Sequence, residues 1–370
     1  MIESMNHGQP KSTRKLRHGF TTGTCAAAAA GAALELILTG SVPPRASVEL
    51  PGGKEVYLPV FNHGNSGGVT FVEIQKDAGD DPDVTHRAII GCRIELTDNP
   101  GKIEIRRGEG VGIVTRPGLA VSVGEPAINP VPRKMILNEI RKRLPENFSN
   151  GVGVTPYIKN GEKLAKKTLN PRLGIVGGLS ILGTTGIVKP FSAEAYKETI
   201  DICLRGSKIE GHDTVVLTTG GKSEKLMKNL YPGIDDICFV QFADFLHYAI
   251  AQAVKMGFHN LLFGCFFGKL CKWAMGYKYT HAHTRSQNMT LLARLAEEND
   301  LGDDFVKFVR KANTAREIFE SDKPEKDEFI DLIGQKAIET LVKFSEGKSS
   351  IKIHLFGFDG KLGGTWANEN

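Results

Sequence analysis

TVVLTTGGKSEKLMKNL, Thr214–Leu230, sets a β-branched run, a Thr-Gly-Gly break and a helix-forming segment in direct succession. Val and Thr suit a pleated strand, paired glycines interrupt it, and Lys, Glu, Leu and Met favour a helix. The same rhythm surrounds it. Arg172–Val176 is a short apolar strand ending in Gly177-Gly178, followed by a helix over Ala193–Leu204. Cys238–Gln241 precedes a helix over Asp244–Met256, and Asn260–Phe263, ending in Gly264, precedes one around Lys269–Met275. These β–loop–α units in series predict a parallel sheet with helices on both faces. Helical segments continue through Ser345, and Ser350–Phe356 is a strand that rejoins the sheet. The charge run Glu320–Glu328 (ESDKPEKDE) reads as a solvated loop.

Towards the N-terminus the rhythm differs. Thr21-Thr22-Gly23-Thr24 precedes Cys25 and five alanines, a capped helix that Gly40 and Pro43-Pro44 end. Strand candidates follow at Ser47–Leu50, Glu55–Val60, Val69–Gln75, Arg87–Leu96 and Lys102–Arg106, with a second helix over Val131–Leu144. Helix, adjacent strands and helix make an α+β unit. Asn150–Pro171 has little apolar periodicity and is taken as the boundary, giving an α+β domain over residues 1–165 and an α/β domain over 166–370.

Bulk properties narrow the function. A chain of 370 residues is long for one core. Its net charge of +5 is scattered, with the densest group at Lys11–Arg17, so no nucleic-acid face is expected, and a small polyanion suits the balance. Six cysteines show neither CxxC nor zinc-finger spacing; they read as small hydrophobes in a reducing compartment, the cytoplasm. Lys11–His18 followed by Cys25–Leu38 has the outline of a signal peptide, but Glu35 breaks a weakly hydrophobic run. No segment reaches the roughly 18–20 apolar residues of a membrane span, so no membrane partner is expected.

Several motifs can carry chemistry. Gly177-Gly178 with Gly183-Thr184-Thr185-Gly186, Thr219-Gly220-Gly221, and Gly264 are read as three Gly-bearing loops on one sheet edge, where doubly wound sheets bind ligands. Gly177, Gly178, Thr184, Thr185, Gly186, Thr219, Gly220 and Gly264 are the cofactor candidates; a plain turn is the alternative at each. Thr21, Thr22 and Thr24 either cap a helix or offer its unpaired amides to an anion. Asp77–His86 packs four carboxylates into a Gly/Pro turn, either solvated or a source of a base. Lys269, at a helix start, lacks Walker A spacing and could pair with a ligand carboxylate. His281 and His283 would face apart on a helix, so no shared metal is expected.

Gly19–Ala30 (GFTTGTCAAAAA), Asp77–Thr85 (DAGDDPDVT), Gly108–Arg133 (GEGVGIVTRPGLAVSVGEPAINPVPR), Asn170–Pro190 (NPRLGIVGGLSILGTTGIVKP) and Gly268–His281 together resemble the cobalt-precorrin-5B C(1)-methyltransferase family of anaerobic cobalamin biosynthesis. The segments span nearly the whole chain in family order. The resemblance implies an N-terminal α+β domain followed by a Rossmann-like α/β domain with a mainly parallel sheet. It implies S-adenosylmethionine as methyl donor and C(1) methylation of a small-molecule corrinoid, giving cobalt-precorrin-6A. Cobalt then enters only within the substrate, with no protein metal site, and homo-oligomerisation is left open. Under it, Asp80, Asp81 and His281 become catalytic candidates. The substrate's acetate and propionate arms would meet Thr21, Thr22, Thr24, Arg116 and Lys269, with Arg17 and Arg133 as further cations. One departure stands out. The family pattern continues from Thr-His into Ser-Arg and an Asp-Gly-Arg element, whereas His281 is followed by Ala282-His283-Thr284-Arg285.

Two other readings compete: a nicotinamide-dependent oxidoreductase acting on a tetrapyrrole, and a tetrapyrrole carrier without activity. The absence of GxGxxG, and of an acidic residue closing the second strand, opposes the first. Calorimetry separates donor from hydride chemistry: S-adenosylhomocysteine should bind and NADH should not.

Overall fold

A computed structural model of the chain describes residues 16–280 and 288–368; His281 and His283 lie outside them. The chain forms two compact units. One runs to Ser192 without the excursion Arg116–Leu119; the other consists of that excursion and the chain from Ala193 onward. The boundary expected at residues 165–166 thus falls inside the first unit.

The first unit opens with β1 (Gly19–Phe20) and α1 (Thr22–Thr39). Thr21 Oγ1 accepts from the Thr24 amide, and Gly40, at φ 73°, ends the helix in the left-handed region. Cys25–Ala30, Ala32, Ala33 and Leu34 are wholly buried. A helix apolar on every side must be surrounded, and alanine lets its neighbours come close. Next come β2 (Arg45–Glu49), β3 (Glu55–Ser66), β4 (Val69–Gln75), β5 (Ile89–Thr97), β6 (Ile103–Ile105), β7 (Ile113–Val114), α2 (Pro130–Arg141), β8 (Gly151–Ile158), α3 (Gly161–Ala165), β9 (Ile175–Val176) and β10 (Ile187–Val188). A six-stranded sheet in the order β2-β3-β4-β5-β8-β6 is antiparallel except for the β6–β8 pair. α1 packs against β2, β4, β5 and α2. By length and composition α1 could cross a membrane; in this fold it is the core helix.

Two expectations are corrected. The supposed boundary Asn150–Pro171 contains β8, which pairs with β5 on one side and β6 on the other. Its strand signal is diluted by glycines that the packing requires: a Cβ on Gly151 would lie 2.3 Å from the Asn99 carbonyl oxygen, and one on Gly153 2.7 Å from Glu95 Cγ. In addition, β9 does not open the parallel sheet. It pairs antiparallel with β7 in the first unit.

The second unit holds α4 (Ala193–Ile209), β11 (Thr214–Thr218), α5 (Gly221–Leu230), β12 (Phe239–Gln241), α6 (Leu246–Lys255), β13 (Asn260–Phe266), α7 (Phe267–Ala274), α8 (Met289–Glu297), α9 (Asp303–Lys311), α10 (Ala315–Phe319), α11 (Lys326–Phe344), β14 (Ser350–Phe356) and β15 (Leu362–Ala367). The sheet order is β12-β11-β13-β14-β15, parallel from β12 to β14 with β15 antiparallel at the edge. Asp327 and Glu328, expected in a loop, form the first turn of α11, where carboxylates suit the helix dipole. All six cysteines are free and buried.

Two interactions in this unit lead to tests. The Trp366 indole lies on Gly334 of α11 and donates to Asp331 at 2.6 Å; a Cβ on Gly334 would come within 2.0 Å of the ring. Gly334→Ala should therefore destabilise the protein by about 1–3 kcal/mol despite alanine's better helix propensity, read as a lower denaturant midpoint. His354 is buried between Tyr231 Oη (2.7 Å) and Thr365 Oγ1 (3.0 Å). Burial, reinforced by Lys352, pushes its pKa down to about 4. The unfolded chain, with an ordinary histidine near 6.5, binds that proton more tightly. The stability His354 contributes is therefore present above about pH 6.5 and is lost as pH falls through about 4. His354→Gln should flatten this acid limb of stability, measured by urea unfolding across that range.

Candidate active site

In β4 the residues Thr70, Val72 and Ile74 alternate onto the buried side, and Lys76 continues that parity just past the strand end. Lys76 is only 1% exposed. Its ammonium donates to Asp83 Oδ2 at 2.6 Å, while Asp83 Oδ1 accepts from the Thr85 amide and hydroxyl, both at 2.7 Å. Burial pushes the Asp83 carboxyl up, but the Lys76 charge and the Thr85 bonds outweigh it and hold it below the usual carboxylate range. These groups, with Thr21, Thr22, Asn170 and Ser180, line a cavity of about 180 Å³. The Asn170 Nδ2 group is buried with no hydrogen-bond partner.

The start of α1 forms one wall. Thr22 Oγ1 accepts from the Leu182 amide (2.9 Å), the Gly23 amide donates to the Leu182 carbonyl (3.0 Å), and Thr24 Oγ1 donates to the Gly186 carbonyl (2.7 Å). The Thr24 and Cys25 amides are bound by the Thr21 side chain and carbonyl. The first turn is therefore not a set of unpaired amides awaiting an anion. Residues 182–186 of the same unit satisfy it together with its own cap.

The acidic turn divides its carboxylates. Asp77 pairs with the Arg17 guanidinium, which holds its carboxyl below the usual range, and it also accepts from the Gly79 amide at 2.9 Å. Asp80 accepts from the Arg17 amide (2.7 Å), and Asp81 accepts from the amide of Phe191 (3.0 Å), a residue at φ 55°. Asp83 is the one that lines the cavity. Sequence reading missed Lys76, Asp83 and Asn170. The usable signal was Lys76 falling on the inward parity of a half-buried strand.

The cofactor candidates separate. Gly177, Gly178, Thr184, Thr185 and Gly186 belong to the first unit, not to the parallel sheet. Their glycines answer to packing: a Cβ on Gly178 would lie 2.2 Å from the Gly110 carbonyl oxygen, and Gly186, at φ 79°, faces Leu50 and Thr24. Thr184 is exposed, and the Thr185 hydroxyl accepts from the Ile187 amide at 3.3 Å. Gly264 is inside β13 rather than in a loop; a Cβ there would lie 2.3 Å from Met227 Cγ. The three-loop edge is thus corrected to one loop, Thr219–Gly221, at the carboxyl end of β11. There the Thr219 hydroxyl meets Ser223 Oγ at 3.1 Å, nothing lies within 4 Å of a Cβ built on Gly220 or Gly221, and the buried Thr218 hydroxyl lacks a partner. β11 and β13 flank the point where the chain reverses its direction of travel across the sheet, the usual ligand crevice of such folds.

The expected cations are already engaged. Arg116 lies 3.3 Å from both Glu210 and Asp235. Those carboxylates and His212 present ligand atoms within 4.8 Å of one another, but the guanidinium supplies the positive charge there. Lys269 pairs with Asp244 and donates to Thr280 Oγ1 at 3.0 Å. Lys272 donates to the Thr280 carbonyl at 2.8 Å; burial, with Lys269 nearby, lowers its pKa.

These features define a two-unit protein of mixed α/β content, one unit with a small cavity beside the Lys76–Asp83 pair and the other with an open loop at the carboxyl end of its parallel strands. The family model described as CbiD matches residues 9–190, ending beside the unit boundary at Ser192, and that described as CbiD, C-terminal domain, matches residues 279–367; the chain belongs to the CbiD family. A cobalt-precorrin-5B C(1)-methyltransferase of Leptospira borgpetersenii serovar Hardjo-bovis (strain JB197) is 40% identical over 96% of this chain and 97% of its own length. One from Geobacillus sp. (strain WCH70) is 38% identical over 95% and 97%. The 1.9 Å crystal structure of the cobalamin biosynthesis protein (cbiD) from Archaeoglobus fulgidus shares 31% identity, covers 70% of this chain and 80% of that one, and superposes with a TM-score of 0.39.

Lys76→Met would leave Asp83 a largely buried, unpaired carboxylate. It should cost about 3 kcal/mol of stability, and the loss should shrink at acid pH as Asp83 takes up a proton; chemical unfolding at two pH values checks both.

Proposed function

We propose that this chain is an S-adenosylmethionine-dependent C-methyltransferase that methylates C(1) of cobalt-precorrin-5B to give cobalt-precorrin-6A. The observation that carries this reading is the whole-length identity: 40% over 96% of the chain leaves no unit of the relative unmatched. Cobalt belongs to the substrate in this scheme.

The residues present fit the donor. The Thr218–Gly221 edge combines an orphaned buried hydroxyl, two glycines whose backbone is open to close approach, and the N-terminus of α5. Sheet order and this edge support a Rossmann-like reading of the second unit, with Thr219 and Gly220 as donor-binding residues. S-adenosylmethionine supplies a methyl group already activated on a sulfonium. What this chain must add is alignment, and positioning of that kind removes roughly 7–11 kcal/mol of barrier in favourable cases.

In the first unit, Thr21 and Thr22 are proposed to contact substrate from the cavity wall. Asp80 and Asp81 are proposed as proton acceptors or orienting hydrogen-bond acceptors. Each has one oxygen committed to a backbone amide, leaving the other for substrate. The oxidoreductase alternative has no counterpart among the named relatives.

Turnover of cobalt-precorrin-5B with S-adenosylmethionine, followed by mass spectrometry for a gain of one methyl group, tests the reading; no methylated product would overturn it. Gly220 is extended at φ 164° with open space around it, so Gly220→Val should fold normally and weaken S-adenosylhomocysteine binding at least tenfold (roughly a 1.4 kcal/mol loss). Asp80→Asn or Asp81→Asn should retain donor binding, while turnover falls at least about tenfold in one of them.

A further inference from the structure

The cavity beside Lys76 has an asymmetry of hydrogen-bonding capacity. Its carboxylate is mostly occupied: Asp83 takes the Lys76 ammonium on one oxygen and both Thr85 donors on the other, three of about four acceptor sites. Its donors are not. An ammonium carries three N–H groups, and the bond to Asp83 uses one of those on Lys76. The Asn170 amide adds two, with no partner, on a residue only 8% exposed. An unmade bond on a buried amide costs about 1–3 kcal/mol, so a group that persists in this state points to an absent acceptor. Lys76 and Asp83 cancel each other in charge, so the free donors set the preference of the site.

Size limits the occupant. Pockets that enclose a whole drug-sized ligand run to about 300–1,000 Å³, whereas this one holds about 180 Å³. A cavity of roughly 150 Å³ admits one benzene. A macrocycle cannot enter; one short side arm can.

We propose that this cavity is a subsite for a single carboxylate arm of the substrate, of acetate or propionate size, received by Asn170 Nδ2 and the Lys76 ammonium. The proposal rests on the corrinoid reading above for the identity of the molecule carrying the arm, but not for the chemistry of the cavity. Asn170 and Lys76 are binding residues: they fix one edge of the substrate and thereby its register, with Asp83 positioning Lys76.

The test uses the full chain and propionate as probe, with saturation-transfer NMR reading binding and methyl propionate as the uncharged control. Asn170→Leu removes the donor, and Asn170→Asp keeps the size while presenting a second acceptor; circular dichroism and thermal melts confirm folding, and either folded variant suffices. Wild type should bind propionate and not its ester, and the variants should bind propionate at least tenfold more weakly. No propionate signal in the wild type, equal binding of the ester, or equal binding by the folded variants overturns the subsite. In turnover, KM for the corrinoid should rise about tenfold in the variants while kcat moves less, the pattern of a lost ground-state contact. Asn170-dependent propionate binding in a protein that methylates nothing would sink the functional reading alone. Methylation with an unchanged KM in the variants would sink the subsite alone.

Discussion

The buried N-terminus of α1 constrains the first unit most strongly. A helix leaves its first amides without intrahelical partners, and here they open into the protein interior rather than into water. Thr21 supplies one acceptor and the Leu182 carbonyl another, while the hydroxyls of Thr22 and Thr24 reach the Leu182 amide and the Gly186 carbonyl. That exchange pulls residues 180–186 over the helix end and carries Asn170 and Ser180 to the side of the Lys76–Asp83 pair. The cavity is what remains between the three segments. An alanine-lined helix makes the arrangement workable, because its neighbours can approach on every side.

Two sets of glycines in this chain do different jobs, and the space around each sets them apart. Gly178 against Gly110, Gly19 against Ala78 and Gly264 against Met227 are contacts in which any Cβ would collide. Gly220 and Gly221 have nothing within 4 Å of a built Cβ. Crowded glycines serve packing; open ones beside an unpaired hydroxyl at a sheet's carboxyl edge are available to a ligand. Gly178, Gly264 and Gly220 all follow short apolar runs in the sequence and look the same there.

The acidic turn shows a similar division. Four aspartates sit close together, yet Asp77, Asp80 and Asp81 bind Arg17 and backbone amides, while Asp83 turns to a buried lysine. A pattern of this kind is satisfied mostly by local structure, and one member lines the cavity because its partner, Lys76, occupies the inward parity of β4.

Much of the secondary structure was decided locally and could be read. Thr21 and Gly40 bracket α1, the Val/Ile alternation marks β4, and TVVLTTGG marks the β11–α5 junction. The sequence's family resemblance also agrees with the relatives found. What sequence alone could not supply was pairing. Gly151–Ile158 looked like a linker because its glycines are demanded by Asn99 and Glu95, residues more than fifty positions away in the chain. Ile175–Val176 looked like the opening of the parallel sheet because a two-residue apolar strand carries no mark of its partner, β7. Local propensity and periodicity depend on neighbours within a few residues. Strand partners, the close approach that calls for a glycine, and the meeting of Lys76, Asp83 and Asn170 depend on segments that only the folded chain brings together.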